Sequence, residues 1–215
     1  MTLYQSDSPF TINSNNDNVV AAQSLSTTGT DVLVNLTFTF SGAIDGNDFL
    51  GLWLGYDATG TSNDKNISGA HTSGPNIGIK GNGGGGSNPL DLFVRNTGTG
   101  GSWLAGSAIM PGTTYQLFGH LYKSEGSSTY DRFEAWLNPS AAEVANLTNA
   151  DTTAINNSGI SLLNTFGFRS ANLEGGDSIQ VSSLSIQAIP EPATVALASV
   201  ALLGLAALGR RRRRG

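Results

Sequence analysis

Between Val32 and Phe40 the chain reads Val-Leu-Val-Asn-Leu-Thr-Phe-Thr-Phe, with Val32, Val34, Leu36, Phe38 and Phe40 in one phase and mostly polar residues in the other. Side chains alternate across a strand, so this run offers one face to a core and one to water. A helix would scatter the same residues around its circumference. Similar short runs recur at Phe49 to Tyr56, Asn76 to Lys80, Asp91 to Arg95, Thr114 to Lys123, Tyr130 to Leu137, Leu162 to Arg169 and Ser178 to Ile186, separated by connections rich in Gly, Asn and Ser. In the last run Ile179 and Val181 share one phase but Leu184 and Ile186 take the other, which predicts a bulge near Ser182 and Ser183. One helix is expected, where Ser140-Ala141-Ala142-Glu143 has the capping-box pattern and Pro139 ends the strand before it. Many short strands with a single short helix point to an all-β antiparallel sandwich or jelly roll, its two sheets about 10 Å apart.

That pattern stops at residue 188, which sets the expected division into a sandwich ectodomain of residues 1–188 and a tail of residues 189–215. The tail runs Pro190-Glu191-Pro192, then the uncharged, mostly apolar stretch Ala193 to Leu208, then Gly209 and Arg210, Arg211, Arg212, Arg213 and Arg214. The two prolines hold the backbone extended and display Glu191 to an enzyme cleft that grips extended chain. As a helix, Ala193 to Leu208 would reach ~24 Å against a hydrocarbon core of roughly 30 Å, a mismatch that snorkelling arginines and local thinning absorb. The expectation is a C-terminal transmembrane helix, oriented by the arginine run so that everything before it lies on the outer face. A buried core helix with a basic tail is the alternative, and it fits poorly with a stretch that lacks a polar stripe and ends in consecutive arginines.

The order Pro190-Glu191-Pro192, Ala193-Thr194, apolar helix and terminal arginine cluster resembles the PEP-CTERM sorting signal of Gram-negative bacteria. The resemblance covers residues 189 to 214 and implies a specific partner. This is an exosortase, a membrane-embedded cysteine protease that recognises the tripeptide and removes the helix. It further implies export, a transient anchor in the inner membrane, and a destination at the cell surface or in an extracellular polysaccharide or biofilm matrix. Met1 to Asn18 has neither the basic nor the apolar region of a secretory signal peptide, so a start upstream of Met1 is the favoured expectation, export by another route being the alternative. Trp136-Leu137-Asn138-Pro139-Ser140 and the final strand before the tail resemble concanavalin A-like jelly rolls.

Charge narrows the function. The formal net charge is −5, but six Lys and Arg stand against fifteen Asp and Glu before Ile189, a balance of −9. Such a body repels phosphate backbones, so nucleic acid is excluded as a partner. The absence of cysteine removes disulfides, thiolate zinc sites and cysteine nucleophiles.

The segment from Gly81 to Gly86 matches G-x-G-x-x-G, yet Asn88 and Pro89 follow where a dinucleotide site needs a helix, so it reads as a glycine loop. No G-x-S-x-G occurs, and His71 and His120 lack a recognisable nucleophile partner. Asp131 and Glu134, three apart, point to opposite faces of a regular strand and do not form the carboxyl pair that glycan hydrolysis needs; Asp131 reads as a turn residue. No catalytic residue is expected. Gln116, Phe118, His120 and Tyr122 share one phase, as do Arg132, Glu134 and Trp136 on the next strand. Those residues are a candidate glycan-binding face, His120, Tyr122, Arg132, Glu134 and Trp136 above all, weighed against core packing of the rings. No cofactor is expected; calcium is the one candidate ion, at the loops Asp45-Gly46-Asn47-Asp48 and Asp57 to Asp64, against ordinary Asx turns. The expected function is a non-enzymatic exported protein with a polysaccharide-binding sandwich, the rivals being a carbohydrate-active hydrolase or lyase and a purely structural matrix protein.

Overall fold

A computed structural model describes residues 1–13, 19–43, 48–56, 74–81, 90–98, 100–104, 107 and 109–189, with 19–22 and 90 described by backbone alone. Its elements in chain order are β1 Thr2–Ser6, β2 Phe10–Ile12, β3 Val19–Thr28, β4 Val32–Ser41, β5 Phe49–Gly55, β6 Asn76–Gly81 and β7 Leu90–Arg95. Then come β8 Ser102–Leu104, β9 Thr114–Tyr122, β10 Arg132–Leu137, α1 Ala141–Asn146, β11 Thr152–Ile155, β12 Leu163–Ala171 and β13 Ser178–Ala188.

The strands form two antiparallel sheets. Sheet A has seven, in the order β1-β13-β4-β9-β10-β11 with β2 also on β13, and sheet B has six, in the order β3-β12-β5-β6-β7-β8. Alternation explains how they face each other: Val32, Val34, Leu36, Phe38 and Phe40 of β4 join one core cluster with Leu50, Leu52 and Leu54 of β5, Ile77 and Ile79 of β6, and Leu92 and Val94 of β7. Among the described residues the chain forms the expected all-β sandwich with one short helix. The bulge is found where the phase changes, between Val181 and Ser183 on the β13–β4 ladder. The capping box is formed too: Ser140 N donates to Glu143 Oε2 at 2.8 Å and Glu143 N donates to Ser140 Oγ at 3.3 Å. The bond from Ser140 N, with a second from Ser140 Oγ to the same carboxylate oxygen at 2.8 Å, holds the exposed Glu143 carboxyl below its ordinary pKa.

Five strands have no counterpart in the sequence reading: β1, β2, β3, β8 and β11. They are edge strands or neighbours of edges, short or polar, so their pairing comes from the sheet and not from their own pattern. The N-terminal residues, read only for the signal peptide they lack, pair with the last strand: β1 lies along β13, and Ala188 N donates to Met1 O at 2.8 Å.

Strand β13 is interior, flanked by β1 and β4, and its ladder runs to Ala188, with Ile189 N donating to Asp31 O at 2.8 Å. The described chain is therefore hydrogen-bonded up to the residue before Pro190. Among the described residues no helix is long and apolar enough to cross a membrane. The expected span Ala193 to Leu208 lies outside those residues, as do Pro190, Glu191, Pro192, the arginines 210–214, His71 and the Asp57 to Asp64 loop. Since the described residues up to Ile189 build a core cluster from both sheets, a chain of residues 1–189 is expected to be soluble and to melt in one cooperative transition. Aggregation, or a lost near-ultraviolet spectrum, would place the tail in the core instead.

Candidate functional site

The residues singled out in sequence do meet, on the outward face of sheet A. Cross-strand register sets Glu134 beside His120, Arg132 beside Tyr122 and Trp136 beside Phe118. His120 stacks on Tyr122 with ring centroids 4.5 Å apart, and Tyr122 Oη donates to Glu134 Oε1 at 3.1 Å. Burial, reinforced by the Glu134 charge, raises the Tyr122 pKa, which keeps the phenol a proton donor. The imidazole stands between two carboxylates, Nε2 at 3.3 Å from Asp31 Oδ2 and Nδ1 at 3.6 Å from Glu134 Oε2. A glycosidase leaves the space between its carboxyls open for the glycosidic bond, whereas here the His120 ring occupies it. Asp131 is in the expected turn, accepting from Ser124 N at 2.7 Å and Ser124 Oγ at 2.6 Å. Arg132 Nη1 is 3.0 Å from the same carboxylate. Burial works against ionisation of Asp131, but these partners together hold its pKa below the usual value.

Trp136 corrects the glycan-face reading. It has the expected phase and is only 1 % exposed. The chain that leaves β10 and returns as β11 covers it: Trp136 Nε1 donates to Thr148 O at 2.8 Å, and the ring tilts against Phe118 at 5.4 Å. Alternation gives the side of a sheet but not whether a later segment folds over it. The strongest stacking ring is thus sealed and His120 is buried as well, so of the candidate residues on this face Tyr122, Arg132 and Glu134 are half-buried.

A second constellation, missed in sequence, lies on the outward face of sheet B. Register brings Phe49, Gly51 and Trp53 of β5 together with Asn76, Gly78 and Lys80 of β6, Asp91, Phe93 and Arg95 of β7, and Trp103 of β8. Rings form its floor: Phe49 stacks on Phe93 at 5.4 Å, and Phe93 meets Trp103 at 5.3 Å. Two guanidiniums lie over that floor, Arg95 at 4.6 Å from the Phe93 centroid and 5.9 Å from Phe49, and Arg169 of β12 at 5.6 Å from Phe49. Arg95 is 4 % exposed. Burial first and the Arg169 charge second lower its pKa to about 10, so it stays cationic at neutral pH. Lys80, Trp103 and Arg169 remain half-exposed. At the Arg95 end a cleft of about 240 Å³ is lined by Arg95, Thr97, Ser102, Ile155 and Asn156 with the backbone of Gly100 and Gly101. These residues lie on separate strands, and no pattern along the chain joins them before the strands pair.

Of the calcium loops, Asp48 is described, and its carboxylate gathers with those of Glu174 and Asp177, one oxygen from each lying within 4.8 Å of the others. Oxygen donors suit a hard cation. Asp177 also has work within the fold, accepting from Ala43 N at 3.0 Å and Glu174 N at 2.9 Å.

The sandwich is similar in fold to solved structures of low sequence identity. An alginate lyase in complex with an alginate trisaccharide superposes with a TM-score of 0.50 at 14% identity, covering 85% of this chain and 81% of that one. The carbohydrate recognition domain of Emp47p gives 0.48 at 8% identity over 87% and 88% of the two chains. The exoplasmic domain of VIP36, bound to Ca2+ and Man3GlcNAc, gives 0.47 at 11% identity over 75% and 69%. These are jelly-roll, concanavalin A-like sandwiches, the fold expected here. No curated protein matches the sequence. The tail is more specific: residues 188–214 match the PEP-CTERM protein-sorting motif, so this two-sheet jelly roll carries an exosortase sorting signal at its C-terminal end.

Proposed function

We propose that this is an exported protein whose tail is inserted in the inner membrane through Ala193 to Leu208, oriented by Arg210 to Arg214, and processed by an exosortase at Pro190-Glu191-Pro192. Its sandwich is then displayed at the cell surface or in the extracellular matrix, where it binds polysaccharide without cleaving it. The observation that carries the binding reading is the outward face of sheet B: an aromatic floor that ends in half-exposed Trp103, with half-exposed Arg169 over Phe49 and Lys80 opposite Phe49 in the register, next to a cleft lined by hydroxyl and amide groups. The fold is shared with a lyase described with a bound trisaccharide, which supports a glycan as the ligand class.

Glycan-array binding of the full chain in detergent tests this. Binding to a polysaccharide with no release of reducing ends or unsaturated products is expected, and Trp103→Ala is expected to weaken it by about 1 to 3 kcal/mol, as for an aromatic anchor. Cleavage of the bound glycan would favour the hydrolase or lyase reading. Binding to no glycan would leave a structural matrix protein.

A further inference from the structure

Among the described residues five large apolar side chains are exposed, and four of them, Met1, Tyr56, Ile155 and Leu162, stand at one end of the sandwich. The ladders show which end. Ala188 pairs with Val32 at the start of β4, Val32 with Leu121 near the end of β9, and Arg132 at the start of β10 stands between Tyr122 and Ile155. In sheet B, Leu163 at the start of β12 pairs with Thr28, which leads through Gly29 and Thr30 to Asp31, and Thr165 pairs with Gly55, the neighbour of Tyr56. Met1 O accepts from Ala188 N at 2.8 Å. All four thus surround the place where Ile189 leaves the fold. The fifth, Met110, is at the opposite end, where Gly112 N donates to Phe40 O at 2.7 Å. Apolar side chains scattered singly over a surface need no explanation, whereas their collection at the end that carries the tail does.

Chain length sets how far this end can stand from a membrane. Ile189 N is held on Asp31 O at 2.8 Å, and Ala193, which opens the apolar stretch, follows after Pro190, Glu191 and Pro192. The four steps from Ile189 to Ala193 reach at most about 14 Å, of which the headgroup zone takes roughly 6 Å. With the stretch inserted, the end of the sandwich lies against the headgroups. Aliphatic side chains gain from burial at that depth, and a tyrosine does so while its hydroxyl stays hydrated. Charge does not oppose the approach: Arg132 lies 3.0 Å from Asp131, Asp31 faces His120 at 3.3 Å, and Lys123 and Glu125 share one turn. We infer that the end of the sandwich bearing Tyr56, Ile155 and Leu162 is a docking surface for the lipid interface, seated on the headgroups as long as the tail is in the membrane. The inference rests on the insertion of Ala193 to Leu208 proposed above. Release then takes more than the cutting of a tether, because the apolar end must also leave the interface. Ile155 rims the cleft beside Arg95 as well, so the cleft faces the membrane until the tail is cut.

The chain has no cysteine, so single nitroxide labels report one site each. The full chain would carry Tyr56→Cys, Ile155→Cys or Leu162→Cys, with Met110→Cys for the far end and Ala201→Cys for the tail, in vesicles of phosphatidylethanolamine and phosphatidylglycerol. Collision of each label with lipid-soluble oxygen is compared with collision with a water-soluble nickel chelate. The replaced side chains are 49 %, 67 % and 39 % exposed, so the melting temperature is expected to stay that of wild type. The oxygen-to-nickel ratio at 56, 155 and 162 is expected to exceed that at 110 by roughly threefold or more, in low and high NaCl alike, since the attraction is apolar. Ratios that match the one at 110, or fall to it in high NaCl, with the label at 201 in lipid, would overturn the inference and leave the tail insertion in place. Protection from oxygen and nickel together would put a second copy of the chain against this end and overturn the lipid assignment. A label at 201 as open to nickel as the one at 110 would overturn the insertion and the inference together.

Discussion

Gly78→Ala is expected to abolish folding. Gly78 sits mid-strand in β6 opposite Gly51, and a Cβ added there would lie on the Leu50 carbonyl oxygen and 2.9 Å from Gly51 Cα. Both are backbone atoms of the paired strand, so no rotamer change makes room. Strands β5 and β6 would have to part, and Ile77, Ile79, Leu50 and Leu52, all at the bottom of the core, would lose their packing with them. Losses above about 4 kcal/mol are exceptional for one substitution, and this has the mechanism for it. Gly175→Ala is the control, because nothing lies within 4 Å of its Cβ. The measurement is soluble yield and thermal melting of the two variants side by side. A Gly78→Ala protein melting within a few degrees of wild type would show the β5–β6 pairing to be wrong.

Trp136→Ala is expected to destabilise by about 3 to 5 kcal/mol, the range for removing a large ring from a packed interior. Loss of the bond to the Thr148 carbonyl adds about 1 kcal/mol. For a chain of this size the sum lowers the melting temperature by roughly 10 °C or more. The change acts through the fold, since the ring anchors the connection between β10 and β11 over Phe118. Glycan binding by the protein that remains folded should therefore be unaltered. An unchanged melting temperature with binding lost would restore Trp136 to the ligand face and contradict the burial described above.

How far the residues alone lead is clearest at three places. The alternation of β4 was sufficient to place Val32 to Phe40 in a core, because a strand with five large apolar residues in one phase has no other low-energy arrangement. At β9 and β10 the same rule put His120, Tyr122, Glu134 and Trp136 on one face correctly, and then failed to distinguish an open face from one covered by the turn that follows α1. Solvent exposure there depends on residues such as Thr148, which have no pattern that announces a contact with β10. The arginine and aromatic constellation of sheet B was illegible for a different reason. Phe49, Phe93, Arg95, Trp103 and Arg169 are spread over four strands, and only the pairing of β12 with β5, β5 with β6, β6 with β7 and β7 with β8 turns them into neighbours. The sorting motif of the tail was legible, since its elements stand in series along the chain and need no folding to be recognised.

The position of β13 has a mechanical consequence. Any load carried through the C-terminal end enters at Ile189 and runs along the axis of an eleven-residue strand paired on both sides, with β1 and β4. Antiparallel hydrogen bonds lie perpendicular to the strands, so such a pull shears many of them together instead of peeling them one at a time. Extraction would also drag Ile179, Val181, Leu184 and Ile186 out of the core in the same event. Tension at this end is borne by an interior strand of sheet A, while the face that holds the arginines belongs to the other sheet and is spared the first strain.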